Sequence, residues 1–188
     1  IEMVFLDDDF SLVGVAGTAG VAVELVRLFQ VELEHYEKVE GVALSFDGKA
    51  NRLGGLIRAN LEGAMRGLGV LPVFAGWDGA RGRIVSYDVV GGHYSERDYY
   101  AVGSGAPFAR GSLKKLHRPD LDAAGAATVL VQALVDAADD DSATAGPDAV
   151  RGLYPILCTA DSSGVRRWPD AEVEALASRV LEARRGRP

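Results

Sequence analysis

The stretch Val13-Gly14-Val15-Ala16-Gly17-Thr18-Ala19-Gly20 limits what this chain can fold into more than any other. Its β-branched start reads as a strand, and its small residues turn that strand directly into a helix over residues 19–40. Leu25, Phe29, Leu33 and Tyr36 recur there at helical spacing, while Glu24, Arg27, Glu34 and Lys38 mark a polar side. The first half, Val21 to Phe29, is apolar nearly all round, so more than one face is covered, by a sheet and by a neighbouring subunit. The turn itself has two readings. It is a tight corner packed with Gly and Ala, or it aims the N–H groups of the first helical turn at an oxyanion or carbonyl oxygen.

The remaining elements come in blocks. Phe5-Leu6, the acidic run Asp7-Asp8-Asp9, and Phe10 to Ala16 read as strand, turn, strand. After Gly41, Ser45 or Asp47 caps a second helix to about Leu68, with Leu53, Ile57, Leu61, Ala64 and Leu68 as its stripe. Its four glycines, Gly54, Gly55, Gly63 and Gly67, imply a close approach to another element. Val70–Trp77, Arg83–Asp88, His93–Arg97 and Tyr99–Ser104 read as a four-strand meander. Helices follow over Ala106–Leu116 and from Ala123, the second with Leu130, Leu134 and Ala138 on one side. Leu153–Asp161 and Val165–Trp168 form a hairpin around Ser162-Ser163-Gly164, and Pro169 opens a last helix to about Arg184. Strands and helices grouped in this way predict antiparallel sheets with helices layered against them, in one domain over residues 1–188.

Several functions are excluded early. A net charge of −7 argues against a nucleic-acid binder, and residues 184–188 form only a short basic tail. No apolar run approaches membrane-spanning length. The lone Cys158 sits in an apolar run and reads as an inert core thiol in a reducing compartment. His35, His93 and His117 are scattered, so neither a metal nor a cofactor is predicted. Gly103-Ser104-Gly105 lacks the outer glycines of a nucleophile elbow, and Ser104 reads as a helix N-cap or turn serine. Asp139-Asp140-Asp141 is more informative. Carboxylates at a helix C-terminus are unfavourable, which gives Asp141 a hydrogen-bonding task, to backbone N–H groups or a hydroxyl, unless the run is simply solvated.

In order, these pieces resemble a proteasome β-type subunit of the actinobacterial kind. The resemblance is carried by Gly14 to Ala19, Val31 to Glu37, Gly82 to Ser86, Ala101 to Gly105, Leu113 to Leu116, Ala137 to Thr144 and Gly146 to Gly152. It implies an α+β fold of the N-terminal-nucleophile hydrolase class, a four-layer αββα sandwich of two antiparallel sheets between helix layers. It implies threonine-type endopeptidase activity in the cytoplasm, with the threonine's own amine as base. Gly17 matches the residue whose N–H forms the oxyanion hole. Ser104, Asp141 and Thr144 match the group supporting the nucleophile, with Thr144 replacing a more usual serine. Phe5, Val15, Ala19 and Val23 match the apolar specificity pocket, and Thr18 with Ala19 lies where substrate pairs as an added strand. The implied partners are β neighbours in a seven-membered ring, an α-type ring, an ATP-driven unfoldase and protein substrates.

Two departures accompany the match. The nucleophilic threonine and its aspartate fall upstream of Ile1, so the resemblance implies missing first strands and an N-terminally incomplete chain. The family's lysine falls at Met3, and a thioether supplies no positive charge. The expectation is a polypeptide inactive as given; a degenerate, structural ring subunit is the alternative. A sandwich that binds a small anion at the 17–20 turn is a third reading.

Overall fold

A computed structural model describes residues 2–185; the end of the basic tail expected from the sequence, 186–188, lies outside them. Of the described residues, 2–102 with 160–165 form one compact unit, and 103–159 with 166–185 form a second.

The first unit is built on a five-stranded antiparallel sheet in the order β1 (Val4–Leu6), β2 (Ser11–Gly17), β3 (Val70–Trp77), β4 (Gly82–Tyr87), β5 (His93–Glu96). Three helices, α1 (Ala19–Glu40), α2 (Phe46–Ala59) and α3 (Leu61–Met65), are inserted between neighbours β2 and β3. Burial alternates along β2 as far as Ala16 and along all of β3, which turns Val13, Val15 and Phe74 towards the core. Ala22, Leu25, Val26, Phe29 and Leu33 of α1, and Phe46, Ala50, Leu53 and Ile57 of α2, complete that core. Phe74 is its centre: the Phe29 ring meets it edge-on at 6.1 Å and the Phe46 ring lies at 4.7 Å. Pro72 is tolerated inside β3 because it lies outside the stretch paired with β4.

The first helix runs as read, and Gly41 ends it in the left-handed region, donating its N–H to the Glu37 carbonyl at 2.8 Å. Ser45, not Asp47, caps α2 by accepting the Gly48 N–H at 3.1 Å. The second predicted helix does not continue to Leu68. It breaks at Asn60, and Leu61, Ala64 and Leu68 are not buried, so the stripe ends at Ile57. Gly54 accounts for one close approach: a Cβ there would stand 2.7 Å from the Gly91 carbonyl oxygen in the β4–β5 turn.

The second unit carries α4 (Ala106–Leu116), α5 (Ala123–Asp140) and α6 (Asp170–Arg185). Its core joins Ala127, Val131 and Val135 of α5 to Val173, Leu176, Ala177 and Val180 of α6, with Leu157. This corrects the predicted stripe, since Leu130 is exposed and Leu134 and Ala138 are only half-buried. Close helix packing selects the smaller residues: Ala133 and Ala137 are buried, and Ala137 Cβ lies 3.2 Å from where a Gly105 Cβ would stand. Tyr99–Ser104 is irregular chain rather than a fourth meander strand. The last hairpin pairs only β6 (Cys158–Asp161) with β7 (Gly164–Arg167), a separate two-stranded sheet. Helices with two antiparallel sheets make a mixed α+β protein, as the sequence predicted, and no helix of the described residues is long and apolar enough to cross a membrane.

Candidate active site

In the first unit the Val13–Gly20 turn is held by backbone geometry that only glycine fits. Gly17 sits at φ +121°, and a Cβ on it would stand 2.3 Å from the Gly69 carbonyl oxygen. That same oxygen accepts the Thr18 N–H at 3.1 Å, which pins the strand end against the residue before β3. Thr18 is the N-cap of α1 but offers no side-chain cap to the first-turn N–H groups. Gly17 is exposed, and Thr18 and Ala19 are half-buried.

The predicted pocket residues fall into two sets. Val15 donates its N–H to the Met3 carbonyl at 2.9 Å, and Met3, Phe5 and Val15 pack on the sheet face that carries the core. Ala19 and Val23 stand one helical turn apart on α1, both half-buried, beside the core-facing row of Ala22, Val26 and Phe29. Met3 is therefore an apolar, half-buried side chain packed against hydrophobic neighbours.

The period-two pattern of β1 continues one step further, to Asp7. Its side chain is buried, and neither carboxylate oxygen has a hydrogen-bond partner. Burial, with a smaller contribution from the neighbouring Asp8 carboxylate, pushes Asp7 up to about 8 even though Lys49 opposes the shift. Lys49, buried on α2, forms an ion pair with Asp8 instead. Asp8 also accepts the Phe10 N–H at 2.9 Å and the Ser11 hydroxyl at 2.8 Å. Burial by itself would raise Asp8, but these donors together hold it below its ordinary value. Reading residues 7–9 as a plain acidic turn missed this buried cluster. The signal was the alternation Met3, Phe5, Asp7.

In the second unit three predicted residues converge. Asp141 directly follows α5 and caps it, donating its N–H to the Ala137 carbonyl at 2.9 Å. One carboxylate oxygen, Oδ2, accepts the Ser104 hydroxyl at 2.6 Å and the Thr144 hydroxyl at 2.5 Å. The other, Oδ1, accepts the Ala143 N–H at 3.3 Å. The Ser104 bond, then the Thr144 bond, holds the Asp141 carboxyl below its usual range, so it stays ionised and accepts from both hydroxyls. Gly105 makes room for this hub: a Cβ there would stand 2.4 Å from Thr144 Oγ1. Ser104 is thus a turn serine rather than an N-cap. Gly105 is the N-cap of α4, and the serine spends its hydroxyl on Asp141. Among the described residues no cluster of three or more His, Cys, Asp or Glu is placed to hold a metal.

The first unit thus carries a glycine-built strand-to-helix turn, and the second a carboxylate that orders two hydroxyls. Residues 2–150 match the family model described as Proteasome subunit, and the chain belongs to that family. Proteasome subunits assemble with one another into the rings of a core particle, and the family consists in general of threonine peptidases.

Proposed function

We propose that this protein is a β-type subunit of a bacterial, actinobacterial-type 20S core particle, a single β-type domain in a cytoplasmic, seven-membered ring. Its neighbours are identical β subunits, an α-type ring and an ATP-driven unfoldase that feeds unfolded, tagged proteins. The observation that carries this reading is the hub at Asp141. A carboxylate that stays ionised while receiving Ser104 and Thr144 is suited to order hydroxyls around a neighbouring nucleophile. Gly17 supplies the oxyanion-hole N–H, and Thr18 and Ala19 pair with the substrate backbone. Phe5, Val15, Ala19 and Val23 give a preference for cleavage after hydrophobic residues.

Met3 favours a second reading, a ring subunit of structural duty. The half-buried thioether offers no positive charge to keep a nearby amine neutral, so the peptidase centre is silent or slow. Exposed Leu28, Val31 and Val39 on α1 give such a subunit an apolar surface for ring contacts. Co-expression of the gene product with an α-type subunit, followed by native mass measurement and hydrolysis of a hydrophobic fluorogenic peptide, tests both. Ring-sized assemblies are expected, and in a gene product that carries the family's N-terminal threonine Met3→Lys raises hydrolysis at least tenfold. A lone monomer without affinity for the α-type ring overturns the assignment. Wild-type hydrolysis that Met3→Lys leaves unchanged overturns the role given to Met3.

A further inference from the structure

The Asp141 hub sits in an electrostatically awkward place. Asp136, Asp139, Asp140 and Asp141 crowd the C-terminal end of α5, where the helix dipole is already negative, and the last turn of α5 holds no basic residue. The countercharge arrives from another helix. Arg184, in the last turn of α6, donates from Nη1 to Asp136 Oδ1 at 2.5 Å and from Nη2 to Asp139 Oδ2. Asp136 is the junction of three helices. Its Oδ2 accepts the Ser112 hydroxyl of α4 at 2.5 Å, and its Oδ1 also accepts the Gln132 amide at 2.9 Å. Two of the three helices carry the hub at their ends: Ser104 lies two residues before α4, and Asp141 one residue past α5.

We propose that Arg184 is a positioning residue that, by forking onto Asp136 and Asp139, fixes the last turn of α5 and so keeps Asp141 within reach of the Ser104 and Thr144 hydroxyls. The functional importance of the hub rests on the reading above, but the clamp is a property of the second unit alone. Two features make the fork the operative element. Hydrogen bonds weaken steeply with misalignment, so a modest displacement of the helix end costs the hub both hydroxyl bonds at once. A planar guanidinium fixes two carboxylates at set positions, whereas an ammonium supplies charge without that geometry.

The test compares the protein with Arg184→Gln, Arg184→Lys and Asp139→Asn, using carboxyl-carbon NMR titration and amide hydrogen exchange. In Arg184→Gln the Asp141 midpoint is expected to rise towards the ordinary aspartate value. Exchange of the Asp141 and Thr144 amides, which donate to the Ala137 and Asp141 carbonyls, is expected to speed up at least tenfold. Arg184→Lys recovers less than half of either change, and Asp139→Asn, which removes one arm of the fork, falls between. Unchanged Asp141 titration and exchange in Arg184→Gln, or full recovery in Arg184→Lys, overturns the clamp. If Arg184→Gln does not fold, Asp139→Asn decides by the same two readouts. Neither readout involves peptide hydrolysis or ring assembly, so failure of the clamp is distinct from failure of the proteasomal reading.

Discussion

Replacing Asp7 by Asn should stabilise this protein, and the gain should grow with pH. Asp7 titrates near 8 in the folded chain because burial and the Asp8 carboxylate disfavour its charge, against an ordinary value of 3.8. Between those two values the unfolded chain has released the proton and the folded chain has kept it. Stability is therefore undiminished below about pH 3.8 and falls as pH rises towards 8. Each pH unit in that window costs at most about 1.4 kcal/mol, which puts the penalty at pH 7 at about 4 kcal/mol.

Asparagine is nearly isosteric and equally unpartnered, so Asp7→Asn removes the ionisation and little else. Urea unfolding of both proteins at half-unit intervals from pH 4 to pH 9 gives the result directly. The two free energies should coincide near pH 4, separate by about 1.4 kcal/mol per unit at most, and run parallel above pH 8. The groups around Asp7 add a signature: Asp8 beside it, Lys49 from α2 and Tyr87 from β4, whose phenol is pushed up by burial and then by Asp7. Free energies that stay parallel from pH 4 to pH 9, or a variant less stable at pH 8, would refute a buried neutral Asp7.

Three further outcomes follow from the same geometry. Lys49→Met should cost about 3–5 kcal/mol in urea unfolding at neutral pH, because it leaves Asp8 charged and without its cation beside Asp7, with only the Phe10 and Ser11 donors remaining; a loss under 1 kcal/mol would mean that the Lys49–Asp8 pair is dispensable. Gly17→Ala should destabilise by about 1–3 kcal/mol in thermal unfolding, since alanine at φ +121° is strained and its Cβ would stand 2.3 Å from the Gly69 oxygen. Ser104→Ala should raise the Asp141 midpoint in carboxyl NMR more than Thr144→Val does, because the Ser104 bond is the largest cause of its lowering; the reverse order would count against that ranking.

Much of the sheet-and-helix order was legible because period and punctuation state it locally. Gly41, Ser45 and the small residues of Val13–Gly20 mark ends that the backbone respects. What stayed hidden was set by neighbours distant in sequence. Residues 123–138 are apolar on nearly every face, so hydrophobicity could not choose between Leu130 and Val131. Close packing made that choice, favouring alanine and valine where α4 and α6 approach and leaving Leu130 outside. Tyr99–Ser104 has the composition of a strand yet forms none, because composition supplies no pairing partner. Its neighbours left Ser104 as a cap or a turn serine; it is a turn serine, and the carboxylate that holds its hydroxyl lies 37 residues away, where local pattern does not reach.

Two aspartates in this chain occupy positions that elementary electrostatics disfavours, and only one was visible in advance. Asp141 violates a local rule: it ends a helix with negative charge, which can be read from six consecutive residues. The structure supplies its compensation in two hydroxyls and, one turn earlier, in Arg184 from another helix. Asp7 violates a non-local rule, burial without a partner, and nothing in Asp7-Asp8-Asp9 distinguishes the carboxylate that turns inwards from the two that do not. The distinction lies in register, because Asp7 shares a sheet face with Met3 and Phe5. The register that sets Met3 and Phe5 beside Asp7 therefore also leaves a proton, rather than a cation, to neutralise Asp7 at neutral pH. If Met3→Lys places an ammonium on that face, it should lower the Asp7 midpoint as well. A carboxyl titration of Met3→Lys that leaves Asp7 near 8 would show that the introduced charge points away from Asp7.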